Sequence, residues 1–297
     1  AYNLLDPHYR AFLAEVPMVV TLDDHEVVNN WYPGRRLDAQ KYKKMKTADD
    51  LSLLGKQAFF EYTAIREMAP KSGMVYRKIE YGPLVDVFVL DERSYRGPDS
   101  ECRQTELTPE SAMMGAAQVA WLKGALSSSK ALWKVLISSM PIGCEQVDSK
   151  RGSANMQDGW GNGEGPPLGR ELEWADVLRH CKGAGLRNLL VVTAEVHYAA
   201  AHLYSPEAAV FKDFDPFWEF VAGPLHSQSF GPLRSDPSFG LQLKYRRTPR
   251  KQGNLPPSFG YGSFGTLKVA GESGKLTVTL HDPEGAPLYT VDLQPVV

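Results

Sequence analysis

The densest group of metal-binding residue types in the sequence is the run DDHE at 23–26. It directly follows VPMVVTL at 16–22, an apolar and β-branched run that predicts a strand buried on both faces. Carboxylates crowded at the end of such a strand repel one another unless cations or bound protons neutralise them. The run therefore indicates a metal site that includes Asp23 and Asp24, although Asp before Glu at a strand-to-helix turn also suits a helix N-cap.

A second group of ligand types follows another predicted strand. Glu195 and His197 lie two residues apart, just after LLVVT at 189–193, and Tyr198 is beside them. Carboxylates with imidazole suit first-row transition ions, whereas carboxylates with amides suit calcium or magnesium. If the two strands share a sheet, both groups would meet at one edge. A histidine after a core strand can equally be structural, so that alternative stays open.

Two arginines follow a third apolar run, VDVFVL at 85–90. Arg93 and Arg96 could each place a planar guanidinium group on phosphate oxygens. The alternative is a structural ion pair with Asp91. His226 lies in a predicted loop, where it is either a rim residue of the site or an exposed or structural histidine.

Apolar runs of this kind alternate with predicted helices along the chain. The predicted buried strands are 16–22, 85–90, 133–137 and 189–193, and the predicted helices are 37–69, 108–128 and 168–184. This alternation predicts an α/β architecture, and ligands of such sheets gather outside the carboxyl ends of the strands. The acidic residues and histidines described above follow those ends.

The remaining segments predict loops and a short terminal sheet. Residues 145–167 and 222–262 are rich in Gly, Pro, Ser and Asn, which predicts long surface loops that frame a site. Three short runs at 265–269, 275–280 and 288–291 predict strands. We find neither an internal repeat nor a low-complexity linker, so one domain is the economical interpretation.

Composition limits the class of protein and its partners. With 43% hydrophobic and 23% charged residues, the chain has the composition of a soluble globular protein. Its formal net charge of −2 gives no electrostatic case for nucleic acid as a partner. No stretch approaches the roughly 18 apolar residues of a membrane-spanning helix. Cys102, Cys144 and Cys181 lack zinc-site spacing, so we expect structural or free thiols, with one disulfide as the alternative.

Six collinear stretches give the sequence a specific resemblance. They are VPMVVTLDDHEVVNNWYPG at 16–34, YGPLVDVFVLDERSYRGP at 81–98, SKALWKVLISSMPIG at 129–143, EGPPLGRELEWADVL at 164–178, NLLVVTAEVHYAAAHLYSP at 188–206 and FWEFVAGPLHSQSFGP at 217–232. Together they span nearly the whole chain in order. On these motifs the sequence resembles the alkaline phosphatase D family of calcineurin-like metallophosphoesterases, also described as phosphodiesterase D.

The resemblance implies an α/β fold, namely a metallophosphoesterase-like β-sandwich flanked by helices, with a polynuclear metal centre at the strand ends. It implies iron and calcium as the metal ions, with manganese or zinc as alternatives. Asp24 would be a metal ligand beside Asp23, and Asn30 a further calcium ligand. His25 would protonate the leaving oxygen. Glu195 and His197 fall on the Asp-Val-His motif of the family, which adds them to the metal ligands.

The residue types suggest the remaining candidate site residues, and the resemblance implies the reaction. Arg93 would act on the reacting phosphate, while Arg96, Tyr198 and His226 would contact substrate. The expected reaction is metal-dependent hydrolysis of phosphate mono- or diesters, with small-molecule phosphate esters as substrates. Family habit places such enzymes in the periplasm or outside the cell, although the sequence, starting at Ala1, shows no signal peptide.

Two residues depart from the family pattern. Glu195 stands where the family has Asp, and Leu22 stands where it usually has Trp. The first strand of the family and its early metal ligands would lie upstream of residue 1. We therefore expect residues 1–297 to form the C-terminal part of the domain, incomplete at the N-terminus, with short strands at 264–293 completing the sandwich.

Two other readings remain open at this point. The chain could be a catalytically incomplete fragment or a noncatalytic binding subunit, completed by a missing N-terminal segment or a second chain. A zinc hydrolase acting on amides fits less well, because the sequence contains no HExxH motif.

Overall fold

The computed structural model describes residues 3–38, 40–65, 73–148, 156–250 and 253–296. Within them, ten strands form a seven-stranded sheet of order β1-β2-β3-β4-β6-β5-β7 and a three-stranded sheet of order β10-β9-β8. The large sheet comprises β1 (Arg77–Tyr81), β2 (Val85–Val89), β3 (Trp133–Ile137), β4 (Leu189–Thr193), β5 (Ala199–Tyr204), β6 (Phe217–Val221) and β7 (Leu241–Arg247). The small sheet comprises β8 (Phe264–Val269), β9 (Leu276–His281) and β10 (Pro287–Leu293).

The centre of the large sheet is parallel. Strand β2 pairs with β3, β3 with β4, and β4 with β6, all in parallel, whereas β1, β5 and β7 are antiparallel to their neighbours. The apolar runs predicted as buried strands at 85–90, 133–137 and 189–193 are confirmed as β2, β3 and β4. Because these strands run the same way, their carboxyl ends meet at one edge.

Two helices cover one face of the large sheet. Helix α3 (Gly115–Ser128) and helix α4 (Glu171–Gly183) pack with buried sheet residues into one core that includes Phe88 and Leu136. The carboxylate of Glu173 accepts hydrogen bonds from the backbone N–H groups of three consecutive residues, Met113 to Gly115. These N–H groups lie at the start of α3, where a helix has no internal partner for them, so Glu173 ties the two helices together.

The small sheet packs on the opposite face. Leu276, Val278 and Leu280 alternate inward from β9 and are at most 1% exposed, and they pack against Trp133 and Leu190 of the large sheet. The Trp133 indole N–H donates to the Gly274 carbonyl at 2.7 Å. The terminal strands predicted from the sequence are therefore confirmed as β8 to β10, and they pack face to face with the large sheet.

The first predicted strand is wrong. Residues 16–22 are not assigned to a strand and pair with none in the described part of the chain, and Val16 and Val19 are 42% and 43% exposed. Two side-chain contacts hold the segment instead. The Thr21 hydroxyl donates to the Leu90 carbonyl at 2.5 Å, and Arg77 donates to the Val20 carbonyl at 2.9 Å.

The predicted helix bounds also need correction. Helix α2 spans Ala48–Tyr62 rather than 37–69, because a capping box between Thr47 and Asp50 starts it. Residues 39 and 66–69 of the prediction lie outside the described ranges. Helix α1 (Pro7–Glu15) was not predicted. The prediction for 108–128 is met by a 3₁₀ turn followed by α3, and that for 168–184 by α4.

The long-loop prediction for 222–262 missed one strand. Strand β7 lies inside it and pairs with β5. All three cysteines are free and buried, as expected. Among the described residues, none of the helices has both the length and the apolar character needed to cross a bilayer.

Candidate metal centre

Three carboxylates converge beyond the carboxyl ends of the strands. Asp23, Asp24 and Glu195 each offer one oxygen, and these oxygens all lie within 4.8 Å of one another. Two of them follow the extended segment 16–22, and Glu195 lies just after β4. The two ligand groups identified in the sequence are therefore brought together, although they are about 170 residues apart.

Asp24 is the most enclosed of the three, at 2% exposure. Its carboxylate accepts a hydrogen bond at 2.8 Å from the backbone N–H of Asn30, a residue with a φ angle of +53°. Burial raises the pKa of Asp24, and the neighbouring charge of Asp23 raises it further, against the opposing effect of Arg93. A carboxylate held in this way suits cation binding, because a cation would replace the missing solvation.

Asp23 is held from its backbone and its side chain. Its N–H donates to the Glu26 carboxylate at 2.8 Å, and its carbonyl accepts from the Trp31 indole at 3.1 Å. One carboxylate oxygen accepts from Nε of Arg93 at 2.8 Å. The Arg93 contact therefore fixes the orientation of the Asp23 carboxylate.

Glu195 and His197 lie on an unusual stretch of backbone. Their φ angles are +56° and +58°, in the left-handed region that residues other than Gly, Asn and Asp rarely adopt. Burial, followed by the charges of Asp23 and Asp24, raises the pKa of Glu195 well above its ordinary value. Nε2 of His197 lies 3.9 Å from a carboxylate oxygen of Glu195, close enough for both to share one cation.

The His197 imidazole is prepared to act as a neutral ligand. Nδ1 lies 2.6 Å from the carbonyl oxygen of Gln228, and because a carbonyl only accepts, Nδ1 carries the hydrogen. Burial lowers the pKa of His197, so the ring is neutral near pH 7 and the lone pair is on Nε2. Neutral imidazole is the form that binds metals.

His25 lies at the solvent side of the cluster. Its side chain is 74% exposed, and its Nε2 is 3.9 Å from an oxygen of Asp24. This position lets the imidazole reach a substrate group that approaches from solvent. The structure therefore keeps His25 available for the proton transfer expected from the sequence.

A buried chain of alternating charges leads from the cluster into the protein. Arg93, which is fully buried, donates through two nitrogens to both carboxylate oxygens of Asp158 at 2.8 and 3.0 Å. Arg96 donates to Asp158 at 2.7 Å and to Asp99 at 2.6 Å, and Arg170 lies 3.6 Å from Asp99. Although burial alone would lower it, Asp158 and Asp23 raise the pKa of Arg93 well above its ordinary value. This chain fixes the direction of Arg93 and thereby of Asp23.

The sequence alone missed Asp158. It lies in the Gly-rich segment 145–167, and no periodicity or motif marks it. The structural alternative, an ion pair that locks the arginines, is present, but the carboxylate that both arginines share is Asp158 and not Asp91. The Asp91 carboxylate instead accepts hydrogen bonds from the backbone N–H groups of Arg93 and Ser94.

Three residues expected to contact substrate are located as follows. Arg96 is 3% exposed, with its guanidinium group bound by carboxylates. Tyr198 is 1% exposed and packs in a small core with Val221. His226 is exposed in the stretch after β6. A substrate contact stays a prediction for all three, and the burial of Arg96 and Tyr198 favours support of the site over direct contact.

Comparison with known proteins identifies the family of this chain. The sequence profile of the PhoD-like phosphatase family matches residues 1–280. The chain belongs to the PhoD-like phosphatase family. It is 29% identical over 208 residues to alkaline phosphatase D of Bacillus subtilis strain 168, an alignment that covers 65% of this chain and 33% of the relative. A solved structure of PhoD superposes with a TM-score of 0.59 at 20% identity, covering 98% of this chain and 57% of that one.

These matches establish the family and the fold. The chain spans less than two thirds of the length of either relative. The superposition supports the mixed sheet architecture of a PhoD-like protein, whereas incompleteness at the N-terminus stays a prediction. Metal ions are implied by the family, and the donor set fits them. The three carboxylates have oxygens within 4.8 Å of one another, and burial raises the pKa values of Asp24 and Glu195, so the group needs a cation or protons to be stable together.

Proposed function

We propose that this chain carries out metal-dependent hydrolysis of phosphate mono- or diesters, acting on small-molecule substrates. One observation carries the proposal: Asp23, Asp24 and Glu195 converge within 4.8 Å at the sheet edge in a chain of the PhoD-like phosphatase family. His25 at the open side and His197 beside Glu195 add imidazole groups suited to proton transfer and metal binding.

The donor atoms favour hard or borderline cations. Asp23, Asp24 and Glu195 would hold them, with His197 and Asn30 as further proposed ligands. Carboxylate oxygens suit calcium, manganese and iron better than they suit softer ions, and one imidazole admits iron or zinc. We therefore propose iron with calcium, and manganese or zinc as substitutes. Cations bound there would polarise the phosphoryl group and neutralise its developing charge.

The protein groups supply positioning and proton transfer. The exposed His25 protonates the leaving oxygen of the ester, because its ring is free to approach from solvent. Arg93 was expected to act on the phosphate itself. Its full burial and its bonds to Asp23 and Asp158 favour a positioning role, in which it fixes the orientation of the Asp23 carboxylate.

The direct test is hydrolysis of nitrophenyl phosphate and bis(nitrophenyl) phosphate by purified protein, with iron, calcium, manganese or zinc added singly and in pairs. Asp24→Asn should lower turnover by at least about a hundredfold, since it removes a buried ligand. Asp213→Asn, at an exposed ion pair far along the chain, is the matched control and should leave turnover unchanged. Absence of turnover with every metal, by the chain and by longer forms of the protein, would contradict the proposal.

A second candidate is a catalytically incomplete fragment or noncatalytic binding subunit. It is favoured by the alignment, which covers 57% of the PhoD structure and 33% of alkaline phosphatase D. In this case further ligands come from a missing N-terminal segment or from a second chain. Intact-mass measurement of native material distinguishes them: a longer polypeptide or a copurifying chain supports completion, whereas turnover by 297 residues alone rejects the candidate.

We further propose that the protein works in the periplasm or outside the cell, as family resemblance suggests. Cell fractionation followed by detection with an antibody against the chain tests this placement. Retention in the cytoplasmic fraction would contradict it.

A further inference from the structure

The stretch 226–230, called here the 226–230 loop, touches His197 at three points. The Gln228 carbonyl oxygen accepts from Nδ1 of the imidazole at 2.6 Å. The Phe230 ring packs on the imidazole with centroids 4.6 Å apart and an interplanar angle of 44°. The Phe230 backbone N–H donates to the His197 carbonyl at 3.4 Å. Ring, tautomer and backbone of His197 are thus each contacted from the same loop.

The loop is itself anchored on its far side. Ser229 and Leu255 exchange two backbone hydrogen bonds, at 2.8 and 3.0 Å. The Thr248 hydroxyl donates to the Phe230 carbonyl at 2.7 Å. The contacts on His197 therefore come from a fixed element of the fold, because the loop is bonded both to the end of β7 and to residue 255.

His197 needs such outside support. Its φ angle of +58° lies in the left-handed region, which is strained for residues other than Gly, and the same holds for Glu195 two residues earlier. Strained backbone persists only where surrounding contacts fix it. With Nδ1 bound to Gln228, the ring presents Nε2 to the side of Glu195, at 3.9 Å.

We propose that the 226–230 loop is the positioning element of the metal centre, in which the Gln228 carbonyl selects the tautomer of His197 and the Phe230 ring fixes its direction toward the acidic cluster. The benefit to metal binding rests on the function proposed above. The orientation of the His197 ring does not depend on that function, and it can be measured without metal. Phe230 is a positioning residue, because it acts on the cluster only through His197.

The test compares Phe230→Ala with two matched variants. Phe230→Tyr keeps the aromatic face. Phe259→Ala removes a 62% exposed aromatic ring from the neighbouring 3₁₀ turn, whose residues 257–259 have no described contact with His197. ¹⁵N-imidazole spectra of metal-free protein report the tautomer directly, and the seven histidines are few enough to assign by single substitution. Calorimetry reports the affinity for manganese and zinc.

We expect wild type, Phe230→Tyr and Phe259→Ala to show His197 as one Nδ1-protonated species. Phe230→Ala should show exchange between tautomers and a metal affinity about tenfold lower, in the range typical for loss of support to a metal-ligating histidine. Thr248→Val, which removes only the anchoring hydroxyl, should change the tautomer spectrum and the metal affinity in the same direction but to a smaller extent. This variant provides the test if Phe230→Ala fails to fold.

A single unshifted tautomer in both Phe230→Ala and Thr248→Val would overturn the inference, as would equal effects of Phe230→Ala and Phe259→Ala. Failure of the proposed function has a different signature. A wild-type protein that neither binds metal nor turns over ester would refute that function, while the tautomer spectra of the metal-free protein would still decide the role of the loop.

Discussion

At the scale of single residues, Asp158 connects the buried ion pairs next to the site. One carboxylate serves two buried arginines, Arg93 and Arg96, and together they lower the pKa of Asp158 despite the opposing effect of burial. Removing one member of a buried ion pair leaves the other charges uncompensated, which typically costs about 3–5 kcal/mol. Surface ion pairs cost far less, about 0–1 kcal/mol, because water solvates the remaining charge.

We therefore predict that Asp158→Asn lowers the free energy of unfolding by about 3–5 kcal/mol, measured by urea denaturation with a fixed m-value. Asp213→Asn, at an ion pair that is about half exposed, should change it by less than about 1 kcal/mol. A similar small effect for both variants would mean that Arg93 and Arg96 find other partners.

Glu92 makes stability depend on pH. Burial raises the pKa of this fully buried carboxyl group from 4.5 to about 7, against hydrogen bonds from Ser138 and Ser139 that lower it. The number of available hydrogens supports a neutral carboxyl group. The Ser138 hydroxyl oxygen lies 2.6 Å from both a Glu92 carboxyl oxygen and the Met140 carbonyl oxygen, but it has only one hydrogen to donate. Both contacts are hydrogen bonds if Ser138 donates to Met140 and a protonated Glu92 donates to Ser138.

Because the pKa of Glu92 is raised on folding, its stabilising contribution is complete below pH 4.5 and is lost as pH rises through about 7. Glu92→Gln mimics the neutral form and should lack this loss. In urea unfolding of metal-free protein, the free energy of unfolding of Glu92→Gln relative to that of wild type should increase by about 3 kcal/mol between pH 4.5 and pH 8. A difference between the two proteins that does not vary with pH would show that Glu92 ionises freely.

At the scale of elements, how well the sequence predicts depends on how each strand is buried. Strands β2, β3 and β4 lie in the parallel centre and read as continuous apolar runs, so they were predictable. Strand β5 begins with three alanines, and β7 carries several charged residues along the edge, so neither resembles a buried strand. The segment 16–22 has the composition of a strand but no described partner strand. Pairing needs a neighbouring strand, and the residues of one segment alone do not show whether the fold supplies it.

The packing between the two sheets is the clearest element-scale contribution to stability. Leu280 on β9 is fully buried between the sheets, whereas Leu267 on β8 is 40% exposed. Leu280→Ala should lower the free energy of unfolding by about 2–5 kcal/mol, through lost burial and the cavity left behind. Leu267→Ala should cost less than about 1 kcal/mol in the same urea experiment. Equal small losses would mean that the small sheet contributes little to the stability of the large one.

At the scale of the whole molecule, the site depends on distant segments that the sheet brings together. The sequence predicted that Asp23, Asp24, Glu195 and His197 lie together, because their residue types suit metal binding and the end of β4 is recognisable, although the segment before Asp23 is not a strand. It did not locate Asp158, nor the 226–230 loop as a support for His197, because both act through tertiary contacts with no local signature. The candidate ligands could be predicted from residue type, whereas the residues that orient them required the folded chain.

Metal binding should therefore register in the stability of the entire fold. A cation that binds the folded chain alone stabilises it by about 2.7 kcal/mol at a hundred times its Kd, which for a domain of this size raises the Tm by roughly 5 °C. Glu195→Gln should raise the Tm of the metal-free protein but reduce the increase in Tm that added metal produces. It replaces a carboxyl group whose ionisation is opposed by burial and by the charges of Asp23 and Asp24, so at neutral pH the metal-free variant should melt above metal-free wild type, while its Tm should respond less to added manganese or calcium. Calorimetric scans with and without chelator measure both effects, and a wild-type Tm indifferent to iron, calcium, manganese and zinc would show that the carboxylates share protons instead of a cation.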